Sequence, residues 1–296
     1  MEKQAKVMAI ELDKYILKVE GSSDILNAKL RGSVKRNNSV LVGDNVLFEV
    51  IQDDVMITSV MPRKNSLIRP PAANIEQMII VISISSPKPD YLLLDKQIIL
   101  CKSKNIKPII CVNKVDLAVN EELEKEINYI KEVYNLDTIF VSALDSTGID
   151  EIKNILKGKC SVFSGNSGVG KSSITQKIMN IDNIEIGEIG EKSNRGKHTT
   201  KAVTLYEIDK DTVLLDTPGF SSYELYDIEY KKLRDHYDEF LKLKCDYEDC
   251  MHITEGVDVC AVKKKVAFGE IDKDRYDRYV YLYQRLKELD DKKYKK

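Results

Sequence analysis

The first sixty residues alternate apolar and polar positions in short runs that are separated by turn residues. Because successive side chains of a strand point to opposite faces, this period-two pattern predicts strands rather than helices. The predicted strands are residues 16–21, 40–44, 45–50 and 55–60. Several short strands without an intervening helix indicate a small barrel, and an OB-like β-barrel fits the length. Such barrels serve many functions, so the pattern by itself assigns none.

From residue 70 onward, apolar strands alternate with helical segments. Continuous apolar runs are typical of strands that are buried on both faces of a parallel sheet, with helices as the connections. The predicted strands are residues 78–84, 108–112, 138–141, 160–164, 202–208 and 212–215, and the predicted helices are residues 91–104, 121–133 and 171–179. This pattern predicts an α/β sheet, in which functional residues gather at the strand ends.

Beyond residue 223 the sequence is highly charged, and apolar residues recur at helical spacing. This apolar stripe is predicted to be core and consists of Tyr276, Tyr279, Tyr283, Leu286 and Leu289. Residues 290–296 are mostly charged and are expected to form a solvated tail. The chain therefore divides into a β-rich, an α/β and an α-rich part.

The composition excludes several classes of protein. Of 296 residues, 43% are hydrophobic and 32% are charged, which is typical of a globular protein. The longest apolar run, residues 78–84, is far shorter than the roughly 20 residues that span a bilayer, and the N-terminus lacks a signal-peptide pattern, so we expect a cytoplasmic protein without a membrane partner. A net charge of −2 gives no overall argument for nucleic acid. Any RNA contact is expected from three local basic patches, which are residues 29–36, 192–201 and 263–265.

A glycine-rich segment connects the predicted strand 160–164 to the predicted helix 171–179. Its sequence has the spacing of a Walker A phosphate loop and consists of Gly165, Asn166, Ser167, Gly168, Val169, Gly170, Lys171 and Ser172, followed by Ser173. The backbone N–H groups of such a loop and the following helix N-terminus bind phosphate oxygens. Lys171 is expected to contact the β- and γ-phosphates, and the Ser172 hydroxyl to ligate Mg²⁺. The alternative is an accidental glycine turn.

The tetrapeptide Asn113-Lys114-Val115-Asp116 follows the predicted strand 108–112. The Asp116 carboxylate can accept hydrogen bonds from N1–H and N2–H of guanine, whereas adenine has no matching pair of donors, so the tetrapeptide predicts GTP rather than ATP. Asn113 and Lys114 are expected to brace this segment against the phosphate loop. Ser142 and Ala143 resemble the segment of GTPases whose backbone holds the guanine carbonyl. By itself such a tetrapeptide is more often a surface turn.

A third motif, Asp216-Thr217-Pro218-Gly219, ends the predicted hairpin. Asp216 is expected to hold a Mg²⁺-bound water, and the Gly219 N–H to sense the γ-phosphate. The next residue is Phe220, so the glutamine that commonly orients the attacking water is missing. We therefore expect slow intrinsic hydrolysis.

The charged segment 195–200 is expected to compensate for the missing glutamine, as a mobile loop between the phosphate-loop helix and the hairpin. Either Thr199 or Thr200 is the expected ligand of Mg²⁺ and the γ-phosphate. His198 has two readings: it positions water, or it is a solvated or RNA-facing side chain.

The order of these motifs is rotated. In ordinary GTPases the phosphate loop comes first and the guanine-reading tetrapeptide last, whereas here the tetrapeptide precedes the loop. Because function depends on the geometry of a site and not on chain order, the sequence predicts a circularly permuted P-loop GTPase domain.

The cysteines fall into two groups. Cys101, Cys111 and Cys160 lie in predicted strands or helices and are interpreted as small buried apolar residues. The remaining ones form a cluster with one histidine: Cys245, Cys250, His252 and Cys260. Three thiolates and one imidazole are a common structural zinc set, so we predict one Zn²⁺ that stabilises a segment with few apolar residues. The alternative is a group of unligated buried cysteines.

As a whole, the sequence resembles the ribosome small subunit-dependent GTPases of the RsgA type, a circularly permuted family with an N-terminal OB domain, a central GTPase and a C-terminal zinc domain. The resemblance spans nearly the whole chain. The matching segments are residues 42–44, 62–70, 113–116, 165–173, 198–200, 216–220 and the cluster from Cys245 to Cys260. The sequence departs from the family pattern at two points. The gap between His252 and Cys260 is longer than the family's usual one, and Lys197 stands where the family usually has arginine.

The resemblance implies a multi-domain fold with three domains. Residues 1–68 are an OB-like β-barrel, residues 69–222 the α/β circularly permuted P-loop GTPase, and residues 223–296 a small α-rich zinc domain. It also implies binding to the 30S ribosomal subunit and its 16S rRNA during late maturation, with GTP favouring binding and subunit-stimulated hydrolysis favouring release. The expected cofactors are GTP/GDP, Mg²⁺ and Zn²⁺. Nothing in the sequence requires a dimer, so we expect a monomer that does not bind DNA.

The chain order adds a hypothesis. The segment after Asp216 leads directly into the zinc domain, so loss of the γ-phosphate would reorient an RNA-contacting module. Two other functions stay open. Phe220 in place of glutamine fits an RNA-binding placeholder in which the nucleotide is only a conformational ligand. A P-loop kinase is disfavoured by Asp116 and by the lack of an evident acceptor pocket.

Overall fold

The computed structural model describes residues 2–12, 14–32, 34, 39–68, 71–117, 121–181, 204–209, 212–216, 225 and 227–293. These residues form a closed β-barrel, a six-stranded α/β sheet and a C-terminal group of helices. This is the three-part architecture that the sequence predicts. Among these residues, no helix is both long and apolar enough to cross a membrane.

The barrel consists of five strands. They are β1 (Lys3–Glu11), β2 (Lys14–Val19), β3 (Ile25–Leu30), β4 (Asn45–Ile51) and β5 (Asp54–Val60), and they pair in the order β1-β2-β3-β5-β4. Antiparallel pairing of β1 with β4 closes the barrel, and β3 runs parallel to β5. Alternate side chains such as Val7, Leu17 and Phe48 fill its interior. β1 and β3 are additional to the strands that the alternation predicts.

Residues 40–44 do not form the predicted strand, because Val42 makes only an isolated bridge with Ala72. The chain turns here: Gly43 has a φ of +89°, and a Cβ atom on it would lie 2.3 Å from the Ala73 carbonyl oxygen. The next residue, Asp44, is buried and binds Arg63 through Nε at 2.7 Å and Nη2 at 2.8 Å. A close backbone approach and a buried ion pair therefore replace strand pairing between the barrel and the segment that follows it.

A two-stranded ladder of β6 (Ser66–Leu67) and β7 (Ala72–Ala73) leads into the central sheet. The sheet strands are β8 (Gln77–Ser83), β9 (Lys107–Asn113), β10 (Thr138–Phe140), β11 (Cys160–Ser164), β12 (Thr204–Asp209) and β13 (Thr212–Asp216), in the order β10-β9-β8-β11-β13-β12. The connecting helices are α1 (Tyr91–Ser103), a 3₁₀ turn (Val115–Leu117), α2 (Glu121–Tyr134), α3 (Ile149–Leu156) and α4 (Lys171–Ile181).

The sheet is parallel from β10 to β13, and among its described strands only the edge strand β12 pairs antiparallel. All seven residues of β8 are buried, which explains its continuous apolar run. Because the strands are parallel, the carboxyl ends of β8, β9, β11 and β13 meet at one edge. Asn113 ends β9, the glycine-rich segment follows β11, and Asp216 ends β13, so these parts of the three nucleotide motifs converge there.

The C-terminal part contains a 3₁₀ helix (Tyr230–His236) and the helices α5 (Asp238–Leu241), α6 (Ala261–Ala267) and α7 (Lys273–Lys293). The predicted apolar stripe lies on α7, where Tyr279 and Leu286 are buried and Tyr276, Tyr283 and Leu289 are half-buried. Leu282, which the stripe omitted, is also buried. These side chains form one core with Cys250 and Cys260.

Candidate nucleotide site and metal cluster

The glycine-rich segment forms the turn between β11 and α4, and its glycines adopt backbone conformations that other residues rarely take. Gly165, Gly168 and Gly170 have φ angles of +139°, +79° and +99°. A Cβ atom on Gly165 would lie 2.1 Å from the Val81 carbonyl oxygen, and one on Gly170 would lie 2.2 Å from Nδ2 of Asn113. The turn therefore needs glycine at both positions, for reasons of space as well as of φ.

Lys171 is the first residue of α4, and its ammonium group folds back over the loop. Nζ donates to the carbonyl oxygens of Gly165 at 2.7 Å and Asn166 at 2.8 Å. Ser167 and Gly168 in the loop and Ser172 and Ser173 in the first helical turn are exposed. The cation, the exposed loop and the helix N-terminus thus form one electropositive, accessible surface of the kind that binds phosphate.

Asn113, the last residue of β9, joins three loops. Its Nδ2 donates to the Val169 carbonyl at 2.8 Å, and its Oδ1 accepts from the Ala143 N–H at 3.2 Å. Lys114, with a φ of +67°, donates to the Gly168 carbonyl at 3.0 Å and to the Ser86 carbonyl. The tetrapeptide is therefore braced against the phosphate loop, as the sequence suggested for these two side chains.

Ser142 and Ala143 stand directly opposite this tetrapeptide. Ser142 is buried, and its Oγ accepts from the N–H groups of Leu144 at 3.2 Å and Asp145 at 3.3 Å. The Val115 N–H donates to the Val141 carbonyl at 3.2 Å. Asp116 lies half-buried in the 3₁₀ turn Val115–Leu117. Two short turns thus face each other across the space beside the phosphate loop.

β13 ends at Asp216 beside β11, which ends at Ser164, so the third motif begins next to the phosphate loop. The side chain of Asp216 lies outside the described residues. The same is true of His198, Thr199 and Thr200, of the basic patch 192–201 and of residues 217–220. All of the predicted hydrolytic groups, Lys171 and Ser172 included, therefore stay predictions.

The cysteine and histidine side chains of the C-terminal part converge on one point. Nδ1 of His252 lies 3.6 Å from Sγ of Cys245, 3.3 Å from that of Cys250 and 3.4 Å from that of Cys260. Sγ of Cys245 lies 4.0 Å from Sγ of Cys260. A tetrahedral Zn²⁺ with Zn–S of about 2.3 Å and Zn–N of about 2.0 Å needs donor atoms about 3.5–3.8 Å apart. The four side chains fit such an ion.

The surroundings of this cluster hold its donor atoms in place. The N–H groups of Ala261 and Lys263 donate to Sγ of Cys245 at 3.3 Å and of Cys260 at 3.4 Å, and these bonds orient the two sulfur atoms. Burial lowers the pKa of His252 to about 4, so its imidazole is neutral and can act as a ligand.

Tyrosine hydroxyls and one lysine fix the loop that carries His252. Tyr276 donates to the His252 carbonyl at 2.7 Å, and Tyr279 to the Met251 carbonyl at 2.6 Å. Nζ of Lys263 donates to the carbonyls of Ile253 at 2.7 Å and Glu255 at 2.8 Å. The sequence placed Lys263 in a basic patch that was expected to contact RNA. In the structure its ammonium group instead stabilises the loop beside the metal cluster.

Comparison with known proteins adds an independent observation. Residues 60–226, more than half of the chain, match the family model described as RsgA GTPase. The chain belongs to the RsgA GTPase family. A protein of Ruminiclostridium cellulolyticum named small ribosomal subunit biogenesis GTPase RsgA is 41% identical over 289 residues, which cover 95% of this chain and 93% of that protein.

Two solved structures resemble this RsgA family member along nearly its whole length. The crystal structure of YjeQ from Thermotoga maritima matches with a TM-score of 0.83 at 30% identity, covering 97% of this chain and 99% of that one. YloQ, described as a circularly permuted GTPase, matches with a TM-score of 0.75 at 29% identity, covering 98% and 96%. This RsgA family member is a GTPase with circularly permuted motifs, and GTP is its substrate.

Sequence reasoning missed two polar groups beside the sites of this RsgA family member. Gln97 of α1 is buried and contacts Ser164, the residue before the phosphate loop, and the Glu255 carboxylate accepts from the N–H groups of Met251 and Ile253 beside the metal cluster. Gln97 directly follows two other polar residues, Asp95 and Lys96, so its burial has no local signal in the sequence. No local signal marks Glu255.

Proposed function

We propose that this chain is a GTP-dependent biogenesis factor of the small ribosomal subunit. In this proposal it binds the 30S subunit late in maturation, contacts 16S rRNA, and releases after subunit-stimulated GTP hydrolysis. The observation that carries it is full-length similarity, including the C-terminal part, to proteins named small ribosomal subunit biogenesis GTPase RsgA. The working compartment in this proposal is the cytoplasm, where ribosomes assemble, and the working form is a monomer that binds no DNA.

The contacts of the nucleotide motifs support a division of roles. Asp116 accepts from the guanine base, while Asn113, Lys114 and Val115 hold its turn in place, and the turn at Ser142 and Ala143 faces the guanine carbonyl. The phosphates lie in the loop formed by Gly165, Asn166, Ser167, Gly168, Val169, Gly170, Lys171, Ser172 and Ser173. The bond from Asn113 to Val169 supports this assignment, because it sets the distance between the base and phosphate subsites.

The reaction itself depends on charge stabilisation. Lys171 Nζ donates to two carbonyl oxygens of the loop, and in this proposal it exchanges these bonds for contacts with the β- and γ-phosphates when GTP binds. Ser172, Thr200 and Asp216 are the proposed groups around Mg²⁺, which neutralises phosphate charge when bound. His198 is the proposed water-positioning residue, since Phe220 occupies the position where a glutamine is common. Without a glutamine, the subunit supplies the acceleration.

We further propose one structural Zn²⁺ held by Cys245, Cys250, His252 and Cys260. The donor spacing supports it. All four ligand positions are filled by side chains, which suits a stabilising role and not a catalytic one. The proposed domain boundaries remain 1–68, 69–222 and 223–296.

Exposed basic groups are the proposed rRNA contacts. Lys264 is exposed on α6, and Phe268, four residues on, is 70% exposed. Residues four apart on a helix share a face, and an aromatic ring beside a cation suits unpaired bases and phosphates. Within the patch 29–36, Lys29 is exposed and lies 3.1 Å from Asp54.

The test is GTP hydrolysis by the full-length chain with and without purified 30S subunits. ATP in place of GTP, and an Asp116→Asn variant with GTP, are the controls. Strong stimulation that is confined to GTP supports the proposal. If nucleotide binding is intact but 30S subunits do not accelerate hydrolysis, the chain is instead an RNA-binding placeholder or responds to a different partner.

A further inference from the structure

Helix α1 is buried on two opposite faces, and each face carries a buried polar residue. Asp95 and Gln97 are both 1% exposed. Two steps along an α-helix turn the side-chain direction by about 200°, so these side chains leave α1 on opposite sides. α1 is therefore a layer between the central sheet and the C-terminal helices.

On the sheet side, Gln97 contacts the start of the phosphate loop. Its Nε2 donates to Oγ of Ser164 at 2.7 Å, and Ser164 directly precedes Gly165. Gln97 and the α1 leucines line a cavity of about 10 Å³ together with Gly165 and Asn166. A buried amide without a partner is unfavourable, so this bond favours one placement of the loop start against α1.

On the outer side, Asp95 holds the C-terminal helices. Its carboxylate lies 3.1 Å from Nη1 of Arg275 and 2.5 Å from Nε of Arg278, and Arg275 also binds Glu239. Burial lowers the pKa of Arg275, but Asp95 and Glu239 raise it by more, so the guanidinium is charged. The Arg275 guanidinium also stacks over the ring of Tyr134 of α2, 4.4 Å from its centroid.

Further contacts tie the rest of α1 to the same helices. Lys102 lies 2.8 Å from Asp238, and Ile99 packs in the core of the C-terminal part. Removing one partner of a buried ion pair leaves the other charge uncompensated, which is strongly unfavourable. Any movement of these helices away from α1 therefore has to break these ion pairs.

We propose that α1 couples the docking of the C-terminal helices to the phosphate loop, with Gln97 as the positioning residue. Asp95 and its arginines fix α1, and α1 fixes Ser164 through Gln97. A partner that displaces the C-terminal helices thus changes GTP hydrolysis through α1. The inference rests on the GTPase activity and does not depend on which partner binds.

The first test compares two buried glutamines that make the same kind of bond to the same strand. Gln97→Met and Ser164→Ala each remove the bond beside the loop. Gln77→Met is the matched control, because Gln77 is buried and donates to Oγ of Ser161 at 2.9 Å, three residues earlier in β11. We expect single-turnover kcat to fall about 2- to 10-fold in both test variants, the equivalent of one hydrogen bond, with a smaller change in GDP affinity and no change of kcat in the control. An unchanged kcat, or an equal fall in Gln77→Met, overturns the proposal.

The second test is a double-mutant cycle across α1. Arg278→Lys keeps the charge but loses the planar guanidinium that binds Asp95. If α1 carries the coupling, the kcat effect of Gln97→Met changes by at least about 2-fold in the Arg278→Lys background. It stays the same in a Lys18→Met background, since Lys18 of the barrel pairs with Glu207 of β12, at the edge of the sheet, and not with α1. Additive effects of Gln97→Met and Arg278→Lys overturn the coupling.

Discussion

The side-chain amide of Asn113 donates to the carbonyl of Val169 at 2.8 Å. The two residues are far apart in the sequence, and the motif that contains Asn113 comes first, in the reverse of the usual order. The same side chain accepts from Ala143, so one buried amide fixes three loops. Cutting and rejoining the chain elsewhere leaves this contact intact, and the contact makes the rotated order compatible with one site.

Substitution of Gly170 tests the contact between the two motifs. In Gly170→Ala the new Cβ would lie 2.2 Å from Nδ2 of Asn113, in a backbone with a φ of +99°. The clash strains the site by about 1–3 kcal/mol unless the phosphate loop or the Asn113 turn moves out of place. We therefore expect GDP affinity to fall roughly 5- to 100-fold. Titration with a fluorescent GDP analogue measures it.

The matched control is Gly158→Ala. Gly158 also has a positive φ, +70°, but a Cβ there meets nothing within 4 Å. This variant is expected to lose about 1 kcal/mol of stability and to bind GDP normally. Equal affinities for the two variants would contradict the role of the Asn113 contact.

Base recognition is tested at Asp116. In Asp116→Asn an amide replaces the carboxylate. The amide no longer accepts from both guanine N–H groups, but its NH₂ group can donate to the second carbonyl of xanthine. Competition binding is expected to show a shift in preference from GTP to XTP. Asp137→Asn, an exposed aspartate that lies 2.6 Å from Lys107, is the control and keeps the GTP preference. Unchanged GTP selectivity of Asp116→Asn would refute the assignment.

Metal content tests the cysteine cluster. The purified chain is expected to carry one zinc per molecule, and Cys245→Ser or a strong chelator to remove it and lower the melting temperature, because metal binding contributes to folding. Cys101→Ser is the control: Cys101 is buried in α1, away from the cluster, and this variant keeps its zinc. Atomic absorption and thermal denaturation measure both effects. A Cys245→Ser protein with full zinc content and an unchanged melting temperature would rule out this ligand set.

The two neighbouring lysines of α6 are expected to separate stability from RNA binding. Lys263→Met removes two bonds to backbone carbonyls and is expected to lower the free energy of unfolding by about 1–3 kcal/mol in urea titrations. Lys264→Met changes an exposed side chain, so stability is expected to stay constant while 30S affinity falls and its salt dependence becomes weaker. Equal 30S affinity of the Lys264→Met and unaltered proteins across a salt series would contradict an rRNA contact at this face.

The local sequence was sufficient to predict those elements whose residue pattern is compatible with one type of structure. The apolar run around β8 and the glycine spacing before Lys171 each depend on neighbouring residues only, and the structure has the strand and the turn there. Residues 40–44 also look like a strand, and that prediction was wrong. The reason is distant: Gly43 is held against Ala73, and Asp44 against Arg63.

The sequence by itself determined the groups from which the proposed chemistry is argued: the glycine-rich loop, the Asn113–Asp116 tetrapeptide, the rotated motif order and the four proposed metal ligands are all short patterns. Tertiary structure decided how these parts are held together. Gln97 against Ser164 and Asp95 against Arg278 join residues far apart in the chain, and neither pair has a local signature. Such contacts arise only when the folded core brings buried polar groups within hydrogen-bonding distance, where each must find a partner.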